Sequence, residues 1–225
     1  MKIKTPVIVL NLKSYQESSG ERGLLLAKAC EEVTKETGIS TIICPQQIDV
    51  ALVSANVKIP VLAQHVDSFE PGSFTGYIAL ESIKACGGKG TLLNHSENPM
   101  KIIDIDRVIR KANKLDLITI ACSNNIQVSK SLAEMSPTSV AIEPPDLIGS
   151  GIPVSKANPD VVLNSVDAVK AIRSKILVLC GAGISTGKDL KAALDLGADG
   201  VLLASGVVKS VNPKAALTDL ALGVS

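Results

Sequence analysis

The stretch Ile176–Gly206, ILVLCGAGISTGKDLKAALDLGADGVLLASG, holds two short apolar runs on either side of a helical pattern. The runs Ile176–Leu179 and Val201–Leu203 are the length of buried strands. Between them, Thr186–Leu196 mixes leucine and alanine with charged residues at helical spacing and stops before Gly197. A strand, a helix and a second strand in this order predict a βαβ unit with two parallel strands.

The same alternation extends back to the start of the chain. The predicted strands are Pro6–Leu10, Thr41–Cys44, Val61–Ala63, Thr91–Leu93, Leu117–Ala121, Ser139–Ile142, Ile176–Leu179 and Val201–Leu203. The predicted helices are Gly20–Thr37, Ile48–Ala55, Leu80–Ala85, Ile103–Lys114, Gln127–Glu134, Val161–Arg173, Thr186–Leu196 and Pro213–Leu222. Eight strand–helix units in 225 residues leave about 28 residues for each unit, which is enough for one strand, one helix and their loops.

Strict alternation of strands and helices predicts a parallel sheet with helical crossovers, either an open doubly wound sheet or a closed (β/α)8 barrel. Eight equal units and the lack of a GxGxxG motif favour the barrel. No linker rich in proline, glycine or serine and no shift in charge divides the chain. We therefore expect a single (β/α)8 TIM barrel domain over residues 1–225.

Composition excludes several classes of function. A net charge of +1 and an aromatic content of 2% argue against a nucleic-acid partner. The five cysteines are odd in number and include no CxxC pair, which argues against a metal centre and a disulfide framework. The apolar run near the N-terminus is too short for a signal peptide, and no stretch has the 18 apolar residues of a membrane helix. We expect a soluble, cytoplasmic protein without a membrane partner.

Four polar residues follow predicted strands at the end where barrels carry their active sites. Asn11 and Lys13 follow the first strand, His95 follows the fourth and Glu143 follows the sixth. Two prolines after Glu143 end its strand and leave the carboxylate at the tip. Each residue alone could be a turn or surface residue. Together, a cation, an imidazole and a carboxylate at one rim predict an acid–base site.

The loops after the last two strands are built from small residues. Cys180–Ser185 reads CGAGIS, and Ala204–Gly206 reads ASG just before a helical turn. Small residues expose backbone N–H groups, and the N-terminus of a helix favours an anion. The alternative is a pair of tight turns, but barrels frequently bind phosphate at these two loops. We predict a phosphate site there.

The residues also resemble a known family, the triosephosphate isomerases, in particular their shorter archaeal form. The resemblance covers nearly the whole chain. It rests on NLK at Asn11–Lys13, FTG at Phe74–Gly76, NHSE at Asn94–Glu97, IEPPDLIGSG at Ile142–Gly151, CGAGIS at Cys180–Ser185 and GVLLASG at Gly200–Gly206. Each motif is weak alone, but six in the right order are specific.

The resemblance implies interconversion of dihydroxyacetone phosphate and glyceraldehyde 3-phosphate through an enediolate, with no metal or organic cofactor. This family is itself a standard example of tuned acid–base residues. Glu143 would move the proton between carbons, His95 would polarise the carbonyl as a neutral imidazole before a helical turn, and Lys13 beside Asn11 would stabilise negative charge. The implied phosphate ligands are Asn11, Lys13, Ile148, Gly149, Gly183, Ala204 and Ser205. Ser96 and Glu97 would lie behind the substrate-contacting residues, and Pro144–Ser155 would close as a lid.

The chain departs from the family pattern at three places. Gly183 stands where many relatives have serine, so Ser185 is a candidate replacement. Asp146 lies in the lid, which lacks the tryptophan of longer relatives, and asparagine and proline at positions 98–99 stand where arginines are common. The loop at residues 64–76 resembles one that reaches into a partner subunit, with Thr75 at its tip. The resemblance therefore implies a homo-oligomer, either a dimer or a tetramer.

Two other functions remain open on the sequence. One is a different phosphosugar isomerase or epimerase barrel that shares only the phosphate loops. The other is a phosphosugar-binding barrel without catalysis that acts as a regulator or scaffold. Neither would need Asn11, Lys13, His95 and Glu143 together.

Overall fold

The computed structural model describes residues 3–144 and 153–224, and its eight strands form one parallel sheet. The strands are β1 Val7–Asn11, β2 Ser40–Cys44, β3 Leu62–Ala63, β4 Gly90–Leu93, β5 Ile118–Ser123, β6 Ser139–Ile142, β7 Leu177–Gly181 and β8 Gly200–Leu203. Their order is β2-β1-β8-β7-β6-β5-β4-β3. A parallel bridge between Ile43 and Val61 joins the two outer strands, so the sheet closes into the predicted (β/α)8 barrel.

Helices alternate with the strands. They are α1 Glu21–Thr37, α2 Val50–Asn56, α3 Leu80–Ala85, α4 Ile102–Leu115, α5 Ile126–Glu134, α6 Val154–Ala157, α7 Pro159–Ile172, α8 Gly187–Asp195, α9 Ser205–Val208 and α10 Pro213–Leu222. Short 3-10 turns at Gln16–Ser18 and Gln47–Asp49 precede α1 and α2. Within the described residues, no helix is both long enough and apolar enough to cross a membrane.

The predicted elements differ from the structure mainly at their ends. The segment predicted as a helix from Ile48 begins as a 3-10 turn, and β3 is only two residues long. Strand β5 continues to Ser123 because Glu143 N–H and the β6 ladder pair with its last residues. Helix α6 was not predicted, and it takes up the last two residues of the expected lid, Pro144–Ser155. Positions 145–152 of that lid lie outside the described residues.

The core has two layers because side chains of a strand alternate between its two faces. Val7 and Val9 of β1 belong to the cluster inside the barrel, whereas Ile8 and Leu10 belong to the larger cluster between sheet and helices. Aliphatic residues fill both clusters, in keeping with the aromatic content of 2%. Four of the five cysteines are buried, and all five are free thiols.

The parallel arrangement brings all strand ends to one rim. Leu10 at the end of β1 is in register with Leu203 at the end of β8, and Ile142 at the end of β6 is in register with Cys180 of β7. Residues that directly follow these strands are therefore neighbours in space although they are far apart in sequence.

Candidate active site

A pocket opens at the C-terminal rim of the barrel and is formed by the loops after β1, β4, β6, β7 and β8. Its lining consists of Asn11, Lys13, Tyr15, His95, Glu143, Ala182, Gly183, Ile184, Ser185, Leu202, Leu203, Ala204 and Ser205. The structure thus brings together seven of the residues that the sequence assigned to the site. The other two phosphate candidates, Ile148 and Gly149, lie outside the described residues.

Lys13 is held by contacts on both its backbone and its side chain. Its backbone is left-handed, with φ of 49°, and its N–H donates to Oδ1 of Asn11 at 3.0 Å. The amide of Gln64 donates to the Lys13 carbonyl oxygen at 3.0 Å. The ammonium pairs with Oε1 of Glu97 at 2.5 Å. These contacts orient the lysine into the pocket, and the carboxylate of Glu97 compensates its charge.

His95 is 7% exposed and has a different partner for each ring nitrogen. The backbone N–H of Glu97 donates to Nδ1 at 3.1 Å, which assigns Nδ1 as an acceptor and leaves the hydrogen of the neutral ring on Nε2. Nε2 lies 3.5 Å from Oε1 of Glu143. The ring therefore presents an N–H donor to the pocket.

The helical turn expected after His95 is a single tight turn. The N–H of Asn98 donates to the carbonyl oxygen of His95 at 2.8 Å, and helix α4 begins only at Ile102. The N–H of Glu97, which donates to Nδ1, favours the neutral tautomer with its proton on Nε2.

The charge state of His95 depends on two opposing effects. Burial lowers the pKa of His95, but the hydrogen bond and negative charge of Glu143 raise it, and the net shift is upward from 6.5. Lys13 lowers the pKa further, and Glu97 raises it. Glu143 is thus the neighbour that most favours a protonated His95.

Glu143 is 6% exposed and directly follows β6. Its backbone N–H donates to the carbonyl oxygen of Ser123 at 2.8 Å, which fixes the start of its loop. Its Oε2 is buried and has no hydrogen-bond partner within the described residues. With no donor from the described residues, this oxygen can accept a proton from a bound substrate. The geometry suits a general base.

Two neighbours shape the space around this carboxylate. A Cβ atom placed on Gly181 would lie 2.4 Å from Cγ of Glu143, so the lack of a side chain there makes room for it. Cys122 lies on the adjacent strand, and burial, followed by the charge of Glu143, raises the pKa of Cys122 well above its usual value. The thiol therefore stays protonated beside the carboxylate.

One end of the pocket is formed by the loops after β7 and β8. Ala182 and Gly183 both have left-handed backbones, with φ of 73° and 74°. The backbone N–H of Ser185 is already engaged, since it donates to Oδ2 of Asp189 at 3.2 Å. Ser185 thus lines the pocket without a free backbone donor. Ser205 begins helix α9 and lies where the helix presents its first N–H groups.

The remaining predicted residues lie outside this pocket. Glu97 reaches it through its ion pair with Lys13, whereas Ser96 is half-buried beside it. Thr75 is exposed in a loop whose Phe69 and Phe74 rings stack at 4.4 Å between centroids, and Tyr77 packs edge-on against Phe69 at 4.6 Å.

Sequence reasoning missed two contributors, Tyr15 and Gly181. Tyr15 follows Lys13 by two residues, so the rule that selected Lys13 could have included it. Gly181 could not have been found in this way, because its importance depends on Glu143, which comes from another strand. Within the described residues, no group of three or more His, Cys, Asp or Glu side chains could hold a metal ion.

Comparison with known proteins decides the family. The family model described as triosephosphate isomerase matches residues 6–220. The chain belongs to the triosephosphate isomerase family. It is 57% identical over 214 residues to the triosephosphate isomerase of Methanocaldococcus jannaschii, covering 95% of this chain and 98% of that one. It is 54% identical over 215 residues to that of Methanothermus fervidus, covering 96% and 97%. It is 50% identical over 215 residues to that of Methanosarcina barkeri, covering 96% and 97%.

Membership of the triosephosphate isomerase family makes the chain an isomerase and matches the architecture of the pocket. A desolvated carboxylate, an imidazole N–H donor and a lysine face one space, with small-residue loops beside them. This set can remove a proton from carbon, stabilise the resulting oxyanion and hold an anionic group.

Proposed function

We propose that the protein interconverts dihydroxyacetone phosphate and D-glyceraldehyde 3-phosphate. One observation carries the proposal: Nε2 of His95 and Oε1 of Glu143 lie 3.5 Å apart in the same pocket as Lys13. A donor and a base so close can act on adjacent atoms of one small substrate. The reaction needs no net oxidation, because the proton and the electrons stay within the substrate.

Glu143 and His95 divide the proton transfers between them. The carboxylate of Glu143 removes a proton from the carbon next to the carbonyl, and the electron pair moves onto the carbonyl oxygen. The N–H of His95 donates to that oxygen as its charge develops, and the positive charge of Lys13 stabilises the enediolate. Nε2 of His95 then gives its proton to that oxygen and takes up the hydroxyl proton from the oxygen on the adjacent carbon, which becomes the new carbonyl oxygen. Glu143 returns its proton to the carbon that carried the original carbonyl, and this completes the exchange of ketone and aldehyde.

The phosphate group would bind at the loops after β7 and β8. Gly183, Ala204 and Ser205 are proposed to donate backbone N–H groups, and Asn11 and Lys13 border the same space. Ile148 and Gly149 are proposed to complete this set. Pro144–Ser155 is proposed to close over the substrate, and exclusion of water would protect the enediolate from losing phosphate.

The assembly and location follow as further proposals. We propose a homo-oligomer, a dimer or a tetramer, in which the loop around Thr75 contacts a second copy of the chain. The exposed rings of Phe74 and Tyr77 in this loop support the proposal, since aromatic side chains are enriched at interfaces. Light scattering of the purified protein measures its mass, and a monomer would contradict the proposed homo-oligomer.

We also propose a cytoplasmic location, which the free, buried thiols support.

A direct assay tests the activity. The purified protein, with a chelator present, should convert glyceraldehyde 3-phosphate to dihydroxyacetone phosphate. Glu143→Asp shortens the base by one methylene, and a displacement of about 1 Å costs about 10²-fold in rate. The matched control is Glu134→Asp at an exposed position of α5, which should keep full activity.

Two results would contradict the proposal. Full activity of Glu143→Asp would show that another group is the base. Saturable binding of the substrate by the wild type, without deuterium uptake at carbon from D2O by NMR, would favour the non-catalytic phosphosugar-binding barrel.

A further inference from the structure

The charges that face the pocket do not favour an incoming dianion. Lys13 carries the only positive charge among the charged residues that line the pocket in the described structure, and Glu97 pairs with it at 2.5 Å. Glu143 adds a second negative charge. With His95 neutral, these groups sum to a net negative charge. Backbone N–H groups can bind phosphate on contact, but they carry no net charge that acts over distance.

Lys209 lies beside this pocket without lining it. It directly follows α9, and its backbone N–H donates to the carbonyl oxygen of Ser205 at 3.1 Å. Its ammonium sits over the ring of Tyr15, 4.3 Å from the centroid. The ring of Tyr15 packs against the core on one side and borders the pocket. A fixed aromatic face thus holds the ammonium near the rim, as cation–π contacts do.

No carboxylate in the part of the chain that the structure describes compensates the charge of Lys209. Within the described residues, Lys209 makes no ion pair, unlike Lys13 with Glu97, Lys170 with Asp199 or Lys214 with Glu36. An unpaired cation at a rim adds to the electrostatic field that a charged ligand meets as it approaches. Tyr15 restrains this cation without neutralising it.

We propose that Lys209, held over Tyr15, supplies the positive charge that draws the phosphate of the substrate into the pocket. Lys209 is a steering residue and takes no part in the proton transfers. The inference rests on the proposed function, since it requires a phosphorylated substrate. Charges at the rim of a site act mainly on the rate of association and on its dependence on salt.

The size of the effect follows from Coulomb's law. For a dianion about 8 Å from a unit charge in water, removal of the charge lowers association about fourfold at 0.01 M salt and about twofold at 0.15 M. Lys209→Met should therefore lower kcat/KM for glyceraldehyde 3-phosphate by these factors, with kcat changed little. Lys209→Arg keeps the charge and should restore the wild-type value.

The test measures kcat/KM for the wild type and both variants between 0.01 M and 0.3 M salt. Lys89→Met is the matched control, because it changes the net charge of the protein by the same amount. Lys89 is exposed and precedes β4, at the opposite end of the barrel from the pocket. D-Glyceraldehyde, which lacks the phosphate, serves as the uncharged substrate. Thermal unfolding of each variant checks that it is folded.

The expected result is a loss that is specific to the phosphorylated substrate, is largest at low salt and is absent in Lys89→Met. An equal loss for both substrates would assign Lys209 a structural role and overturn the inference. Wild-type kcat/KM in Lys209→Met at low salt would also overturn it while leaving the proposed function intact. Lack of isomerase activity in the wild type would overturn both.

Discussion

Gly181 leaves the space that the side chain of Glu143 occupies, so Gly181→Ala should displace the proposed base. The added Cβ would lie 2.4 Å from Cγ of Glu143 and 3.0 Å from Cδ and from Oε1. Unbonded carbon atoms are at their best separation at about 3.5–4.0 Å, so Glu143 must move by about 1 Å. The backbone of Gly181 is outside the left-handed region, and alanine fits its conformation. The clash is therefore with the side chain alone.

The expected loss is larger in catalysis than in stability. A displacement of about 1 Å in a reacting group costs about 10²-fold, so kcat should fall by about that factor. Overpacking of a buried site costs about 1–3 kcal/mol of unfolding free energy, which leaves the variant folded at 25 °C. The assay is kcat for glyceraldehyde 3-phosphate, with urea denaturation of the same samples.

Gly88→Ala is the matched control for this prediction. Its Cβ would lie 2.6 Å from Cγ2 and 2.9 Å from the carbonyl oxygen of Ile83, so this site is also overpacked, in a part of the core far from the pocket. This variant should lose stability and keep the wild-type kcat. A folded Gly181→Ala variant with a kcat within about threefold of the wild type would refute this reasoning. Such a result would mean that displacing the carboxylate does not slow the reaction, whereas the rate should depend steeply on the alignment of the base.

Three further variants test individual contacts. In Glu143→Gln, burial remains and the charge is lost, so the pKa of His95 should move from above 6.5 to below it in an NMR titration. Because the pKa of His95 is raised in the folded wild type, the contact with Glu143 contributes stability below pH 6.5, and this contribution is lost as pH rises through the folded pKa. An unchanged pKa of His95 in Glu143→Gln would refute the effect of Glu143 on His95. Gln64→Ala removes the donor to the carbonyl oxygen of Lys13, whereas Cys44, the other carbonyl bonded by Gln64, still accepts from the N–H of Leu12; the loss should cost about 1–3 kcal/mol in urea and lower kcat/KM. Wild-type kcat/KM would show that Lys13 needs no such support. Thr186→Ala removes the side-chain cap of α8 and should cost about 1 kcal/mol without changing kcat, and equal urea midpoints would contradict this.

Local patterns predicted the elements well because strands and helices differ in period over a few residues. Ser139–Ile142 and Pro213–Leu222 have the predicted bounds, since prolines end or begin each of them. The prediction around Ile48 failed at its start because a 3-10 turn and an α-helix share nearly the same apolar spacing. Helix α6 was missed because four residues are too few to produce a periodic pattern.

The sequence also predicted which residues share the rim. In a parallel barrel, a residue that follows a strand lies at the C-terminal end, and this rule needs only the strand positions. It selected Asn11, Lys13, His95 and Glu143, all of which line the pocket. The rule would also have selected Tyr15 if it had been extended by two residues beyond Lys13 in the first loop.

What the sequence by itself determined is the alternation of strands and helices, the parallel sheet and the set of polar residues at strand ends, because each depends on neighbours along the chain. Only the tertiary structure decided the contacts between those residues. The approach of Nε2 of His95 to Oε1 of Glu143, the space that Gly181 leaves for Glu143 and the placement of Lys209 over Tyr15 all join different strands or loops. Their distances follow from how the sheet closes, and closure depends on packing of the whole barrel rather than on any local pattern.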